Sequence, residues 1–286
     1  MNNSSGTGRR AGLDAAVEDT LRQAAAALQE GRAKEAESIT HQVLARRRDH
    51  PGALQLLGMT LLAQERPEAA VAPLEGALRS RPGAAVETYL AVALRKTGRS
   101  GEALALLQRA SERQPAFPQA LYELGMLLYE QRQVAEAEAA LERGMQVAAR
   151  TDAFSLALGN IHLRRGEANK AESAFARVVA NAPNHGGALC GLGCALMGRG
   201  EFNRAAERFR RAISSDPTDV RLRLLLASCL FELSKPEEAI ATLRALVQAT
   251  PQAFGDALKA CAGSGRGRLW LRPSSAAAYL RSNQGG

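Results

Sequence analysis

Cys190 and Cys194 stand four residues apart, one turn of a helix, with His185 a short way before them. Paired thiols at that spacing open a metal reading, but a tetrahedral centre wants two more converging ligands, and His185 is the only nearby candidate. Cys229 and Cys261 fall on later segments. The four cysteines are therefore expected to be small, reduced packing residues of a cytoplasmic protein, with no metal bound. His41, His50, His162 and His185 are scattered along the chain and give no nucleophile–base pair. No Walker loop, Gly-rich strand–helix phosphate turn or G-x-S-x-G elbow is present. The chain is expected to be non-enzymatic and to need no cofactor.

Arginine supplies a second chemistry. The formal net charge is +8, and residues 263–286 hold four arginines and no acid, half of that excess. Arg266, Arg268 and Arg272 surround Trp270, the one tryptophan, whose ring could stack on a base. Arg46-Arg47-Arg48 form a further cluster. Such groups attract phosphate with a strong salt dependence, so nucleic acid or an anionic surface is the alternative partner class. Against it, the cations of residues 17–262 are interspersed with Glu and Asp, as on solvated helix faces. Within the tail, Gly263-Ser264-Gly265 and Gly267 make a flexible joint, and Ser274 or Ser275 caps a short helix over 276–281. A helix that short needs something to dock on, either the rest of the chain or a partner.

The elements that position these residues are set by a period. Ala36, Ala70, Ala103, Ala137, Ala171, Ala205 and Ala239 follow one another in steps of 34, 33, 34, 34, 34 and 34 residues. A period in that range marks a solenoid, in which each unit completes its neighbour's core. Twelve residues before each alanine stands a small residue: Ala24, Gly58, Ala91, Gly125, Gly159, Gly193 and Ala227. Four after it comes a larger one: Thr40, Leu74, Leu107, Leu141, Phe175, Phe209 and Leu243. The small residues let two helices approach closely while the larger ones fill the space between. Gly31, Gly98, Gly166 and Gly200 end first helices, and Pro82, Pro115, Pro183, Pro217 and Pro251 close second ones.

With these columns the chain resembles the tetratricopeptide repeat family. The best copy runs from Gly186 to Asp219, where Leu192-Gly193, Gly200, Ala205, Phe209, Ala212 and Asp216-Pro217 match the family's pattern. Leu54, Leu121 and Leu189 replace its early large aromatic. The resemblance implies an all-α, right-handed α-solenoid superhelix of seven helix pairs, in a bacterial protein. Bacterial proteins of this kind often carry a transferase domain beside the array, and none is expected within these residues.

The expected organisation is a flexible segment 1–16, an array 17–262, and a basic flexible tail 263–286. The copies are 17–50, 51–83, 84–117, 118–151, 152–185, 186–219 and 220–253, closed by a helix over 254–262 that carries Phe254, Leu258 and Cys261. No run approaches the roughly 18 apolar residues of a membrane span, and nothing apolar follows Arg9-Arg10 to make an export signal. The expected location is the cytoplasm.

The resemblance also implies that the first helix of each pair lines a concave groove. Column by column, the groove positions are Gln55 and Met59, then Thr88 and Arg95, then Tyr122, Met126 and Tyr129. After these come Asn160, then Cys194 and Met197, then Arg221 and Phe231. Methionine adapts to varied apolar partners and tyrosine adds area with a polar tip, so a protein or peptide segment with apolar anchors is the expected ligand. The family's carboxylate clamp is expected to be absent. Asn160 and Arg221 match two of its positions, but Leu156 stands where a lysine should be, and Gly191 and Leu225 fill the other polar places. Its asparagine ladder is likewise missing, the column reading Leu56, Tyr89, Glu123, Ala157, Gly191 and Leu225.

Overall fold

The computed structural model describes residues 4–262 and residue 280. Among them every regular element is a helix, and the chain divides into two compact units, Met1–Ala149 and Arg150–Gly286. The first unit holds α1 (Ser4–Gln29), α2 (Ala33–Arg46), α3 (Pro51–Ala63), α4 (Pro67–Ser80), α5 (Ala84–Lys96), α6 (Ser100–Glu112), α7 (Pro118–Glu130) and α8 (Val134–Val147). The second holds α9 (Asp152–Arg164), α10 (Ala168–Asn181), α11 (Gly186–Gly198), α12 (Phe202–Ser215), α13 (Val220–Glu232) and α14 (Pro236–Ala249). A short 3₁₀ turn then leads into α15 (Phe254–Ala262). Each expected copy from the second onward is one helix pair. In the first, α1 reaches back to Ser4, inside the segment 1–16 that composition sets apart.

Sequence chemistry accounts for the breaks between helices. After each first helix the chain passes through positive φ at Gly31, Gly98, Gly166 and Gly200, as glycine permits at low cost. The other three copies adopt the same turn without glycine, at Glu65 (φ 55°), Arg132 (φ 66°) and Ser234 (φ 59°). In each copy the next amide then bonds back to a carbonyl five residues earlier, as Arg99 N–H does to Leu94 at 2.8 Å and Glu201 N–H to Leu196 at 2.9 Å, which satisfies helix-end carbonyls. Three first helices are capped by side chains. His50, His185 and Asp219 accept the backbone N–H of Ala53, Ala188 and Leu222 at 3.2, 3.1 and 3.1 Å.

Packing follows the columns. All seven period-marking alanines are 0% exposed. A Cβ added at Gly58 would sit 2.3 Å from the Leu74 side chain, and one at Gly193 would sit 2.5 Å from the Phe209 ring. The small residue on the first helix thus makes room for the large one on the second helix of the same pair. In the first unit α1 packs on α3, α3 on α5 and α5 on α7, and in the second α9 packs on α11. Within each unit these first helices therefore lie side by side in a layer. At the far end α15 packs on α13 and α14, burying Ala257 and Cys261 and half-burying Phe254 and Leu258. Leu280 is helical, 4% exposed and part of the same core cluster. The rest of the expected tail helix, with Arg266, Arg268, Trp270 and Arg272, lies outside the described residues.

Candidate functional site

In the first unit the groove columns come from α3, α5 and α7. Gln55, Met59, Arg95, Tyr122, Met126 and Tyr129 are all half-buried, the condition of side chains that cover a surface without being sealed in it. Gln55 Nε2 lies 3.9 Å from the Met59 sulfur. Thr88 differs: it is fully buried, and its hydroxyl donates to the Ala84 carbonyl at 2.6 Å, leaving it no surface to offer. Arg95 is engaged within the groove. Its guanidinium donates to Glu123 at 2.9 Å and Glu130 at 2.8 Å, while Gln119 donates to the other Glu123 oxygen at 2.8 Å. Its Nε is buried without a partner. Burial, then the Glu123 charge, raises the phenol pKa of both Tyr89 and Tyr122, which stay neutral hydrogen-bonding tips. This groove is therefore an apolar surface crossed by one internally compensated polar strip.

The second unit carries a cavity of about 480 Å³ beside its own first helices. Leu156, Asn160 and Leu163 of α9, Cys190 and Cys194 of α11, and Arg221 of α13 line it. It thus brings together three of the expected site residues, Asn160, Cys194 and Arg221. Met197 is half-buried outside that lining, and Phe231 is 3% exposed, part of the core. Asn160 and Arg221 are exposed, and Arg221 has no carboxylate partner among the described residues. A hydrogen bond with Cys194 lowers the Cys190 thiol to about 7 against the opposing effect of burial, helped by the Arg221 charge. The same contact pushes Cys194 the other way. Burial raises Cys229 to about 12 and Cys261 upward, so of the four thiols that of Cys190 alone is lowered.

The remaining titratable groups take structural places. His50 and His185 cap helices, His41 is exposed, and His162 is buried with its Nδ1 2.9 Å from Glu167. Glu35, Glu102, Glu136 and Glu238, which precede the period-marking alanines, are exposed, and three of them pair with Arg32, Arg99 and Lys235. One group escapes sequence reasoning altogether. Glu87 is a charged residue inside α5 whose side chain is 0% exposed, held at 2.7 Å by Arg109 of α6 and by Arg113 just past its end. Among the described residues no helix is long and apolar enough to cross a membrane.

Comparison with known proteins places this architecture. Tetratricopeptide repeat profiles match residues 27–92, 90–153 and 190–254. No curated protein matches the sequence. Among solved structures, that of the APC/C hetero-tetramer Cut9–Hcn1 aligns with a TM-score of 0.65 at 13% identity, covering 91% of this chain and 48% of that one. This chain thus spans about half the length of that relative. The C-terminal part of a repeat protein from Cytophaga hutchinsonii aligns at 0.62 with 16% identity, covering 84% of this chain and 98% of the other. A structure of Pseudomonas aeruginosa PilF aligns at 0.63 with 20% identity, covering 72% and 96%. At such identities the likeness speaks for the fold. With profiles matched over more than half its length and the helix pairs those profiles describe, the chain belongs to the tetratricopeptide repeat family.

Proposed function

We propose that the chain is a non-enzymatic scaffold or adaptor that captures a peptide or helix through apolar anchors on the exposed face of its first helices. The observation that carries this is the half-buried row Met59, Tyr122, Met126 and Tyr129 beside an Arg95 whose charge is already met by Glu123 and Glu130. In the first unit, a surface whose Arg95 charge is compensated selects apolar contact over a charged tail. In the second unit Cys194 and Met197 provide the corresponding contacts. The family is one of protein-interaction scaffolds, and the Cut9–Hcn1 relative is itself part of a hetero-tetramer. Replacing Tyr122 and Met126 together by aspartate is expected to abolish capture of partners from native extract while far-UV circular dichroism stays unchanged. A folded double variant that still binds overturns the groove reading.

A second reading rests on the four arginines and no acids of residues 263–286. There the tail holds nucleic acid or an anionic surface, and binding disappears on deletion of 263–286 or at high salt. Partners retained by the deletion variant at high salt favour the groove. A chain that co-purifies with one stoichiometric enzyme is instead a regulatory subunit of that enzyme.

A further inference from the structure

Cys190 and Cys194 stand one turn apart on the same face of α11, and both line the wall of the second unit's cavity. Both are free thiols and only half-buried. A helix holds Cβ atoms four residues apart at about 5–6 Å, whereas a disulfide needs about 3.8 Å. The pair cannot close on itself without unwinding a turn, but both sulfurs can reach a single atom placed between them. We propose that Cys190 and Cys194 form a two-sulfur site for a soft, two-coordinate metal cation of the monovalent copper class.

Ligand type and ligand number both point there. Thiolate sulfur selects soft ions, while zinc in a structural site asks for four ligands. The other donors on this cavity compete poorly for a soft ion. The Nδ1 of His185 accepts the Ala188 amide at 3.1 Å, which puts the proton on Nε2 in the neutral ring and leaves no lone pair for a metal. An oxygen of Asp219 accepts the Leu222 amide at 3.1 Å, and one of Asp216 accepts the Thr218 amide at 3.0 Å and its hydroxyl at 2.7 Å; the second oxygen of each carboxylate is a hard donor that a soft cation disfavours. Among the described residues no third Cys, His or carboxylate atom joins the two sulfurs. Binding one monovalent cation releases two thiol protons, forms two metal–sulfur bonds and transfers no electron, so the complex carries one net negative charge. The Arg221 guanidinium, on the same cavity and without a carboxylate partner among the described residues, supplies the compensating charge. Leu156 and Leu163 form apolar wall around it.

The test is an anaerobic titration of the full chain with monovalent copper presented as its coloured bicinchoninate complex. The expected result is loss of colour equal to one copper per chain, with a new near-ultraviolet sulfur-to-copper band. Both are lost in Cys190→Ser and in Cys194→Ser. Alkylation mapping of the wild-type chain, which needs no variant, is expected to show copper protecting these two cysteines and no others. Failure to withdraw copper, equal uptake by the double serine variant, or protection at Cys229 or Cys261 instead overturns the proposal. Equal one-to-one uptake of zinc overturns the two-coordinate assignment.

Discussion

Glu87 shows what a single residue can hold together. Burial by itself would raise its carboxyl pKa, but hydrogen bonds and charge from Arg113 and Arg109 outweigh that and leave it below the usual carboxylate value. A folded-state pKa depressed in this way stabilises the fold above the unfolded value, about 4.3 for glutamate, and the contribution is lost as pH falls through the folded value. The Glu87→Gln variant is therefore expected to be less stable at neutral pH, with a smaller fall in urea midpoint on acidification from neutrality than wild type. Removing Arg109 and Arg113 together is expected to cost more than Glu87→Gln, because it strands a carboxylate that is 0% exposed, whereas both arginines retain water. If the double arginine variant is the more stable, the pairing has been misjudged. None of this was legible in the sequence, since Glu87 and Arg113 lie 26 residues apart and Glu87 looks like any solvated helix acid. The same limit applies to Arg95. Its column could be named, but its neutralisation by Glu123 and Glu130 depends on a neighbouring helix 28 and 35 residues away.

At the scale of the helix pair, sequence and structure agree closely, because the determinants are local columns read seven times. The small-against-large pairing predicted from spacing appears at Gly58 with Leu74 and at Gly193 with Phe209. It also explains a missing feature. Gly191 stands in the ladder column because a Cβ there would lie 2.4 Å from the Phe175 ring of the preceding pair. Gly193→Ala is expected to lower stability by about 1–3 kcal/mol through overpacking. Gly101→Ala, in α6 with nothing within 4 Å of the added carbon, is expected to be neutral or stabilising. Thermal denaturation of the two variants in parallel decides the matter, and equal midpoints would mean that the close approach is not energetically important. The turn between first and second helices offers the opposite experiment. Arg132 holds φ 66° without being glycine, so Arg132→Gly is expected to raise stability by about 1 kcal/mol. Spacing alone showed glycine in only four of the seven turns, and the backbone shows that the other three obey the same rule under strain.

Across the whole molecule the period suggests one uninterrupted array, whereas contacts divide the chain at Ala149 and Arg150. Ala149 is one of two places where the proline column lapses, a signal present in the sequence but too weak to mark a boundary. Because each pair leans chiefly on its neighbours, stability in such a fold adds up along the chain instead of residing in one centre. Phe209, 0% exposed and packed against Gly193, is a place to test this. Phe209→Ala removes a buried ring, an expected loss of about 3–5 kcal/mol. In hydrogen–deuterium exchange that loss should appear as faster exchange in α11 to α14, the helices that pack in sequence around Phe209, with α3 to α6 keeping wild-type protection. Uniform acceleration over the whole chain would show a single cooperative unit and remove the basis for treating the two groove surfaces separately. Confinement to the second unit would mean that a partner seated on α11 and α13 can stabilise its own binding site without altering the surface around Tyr122 and Met126.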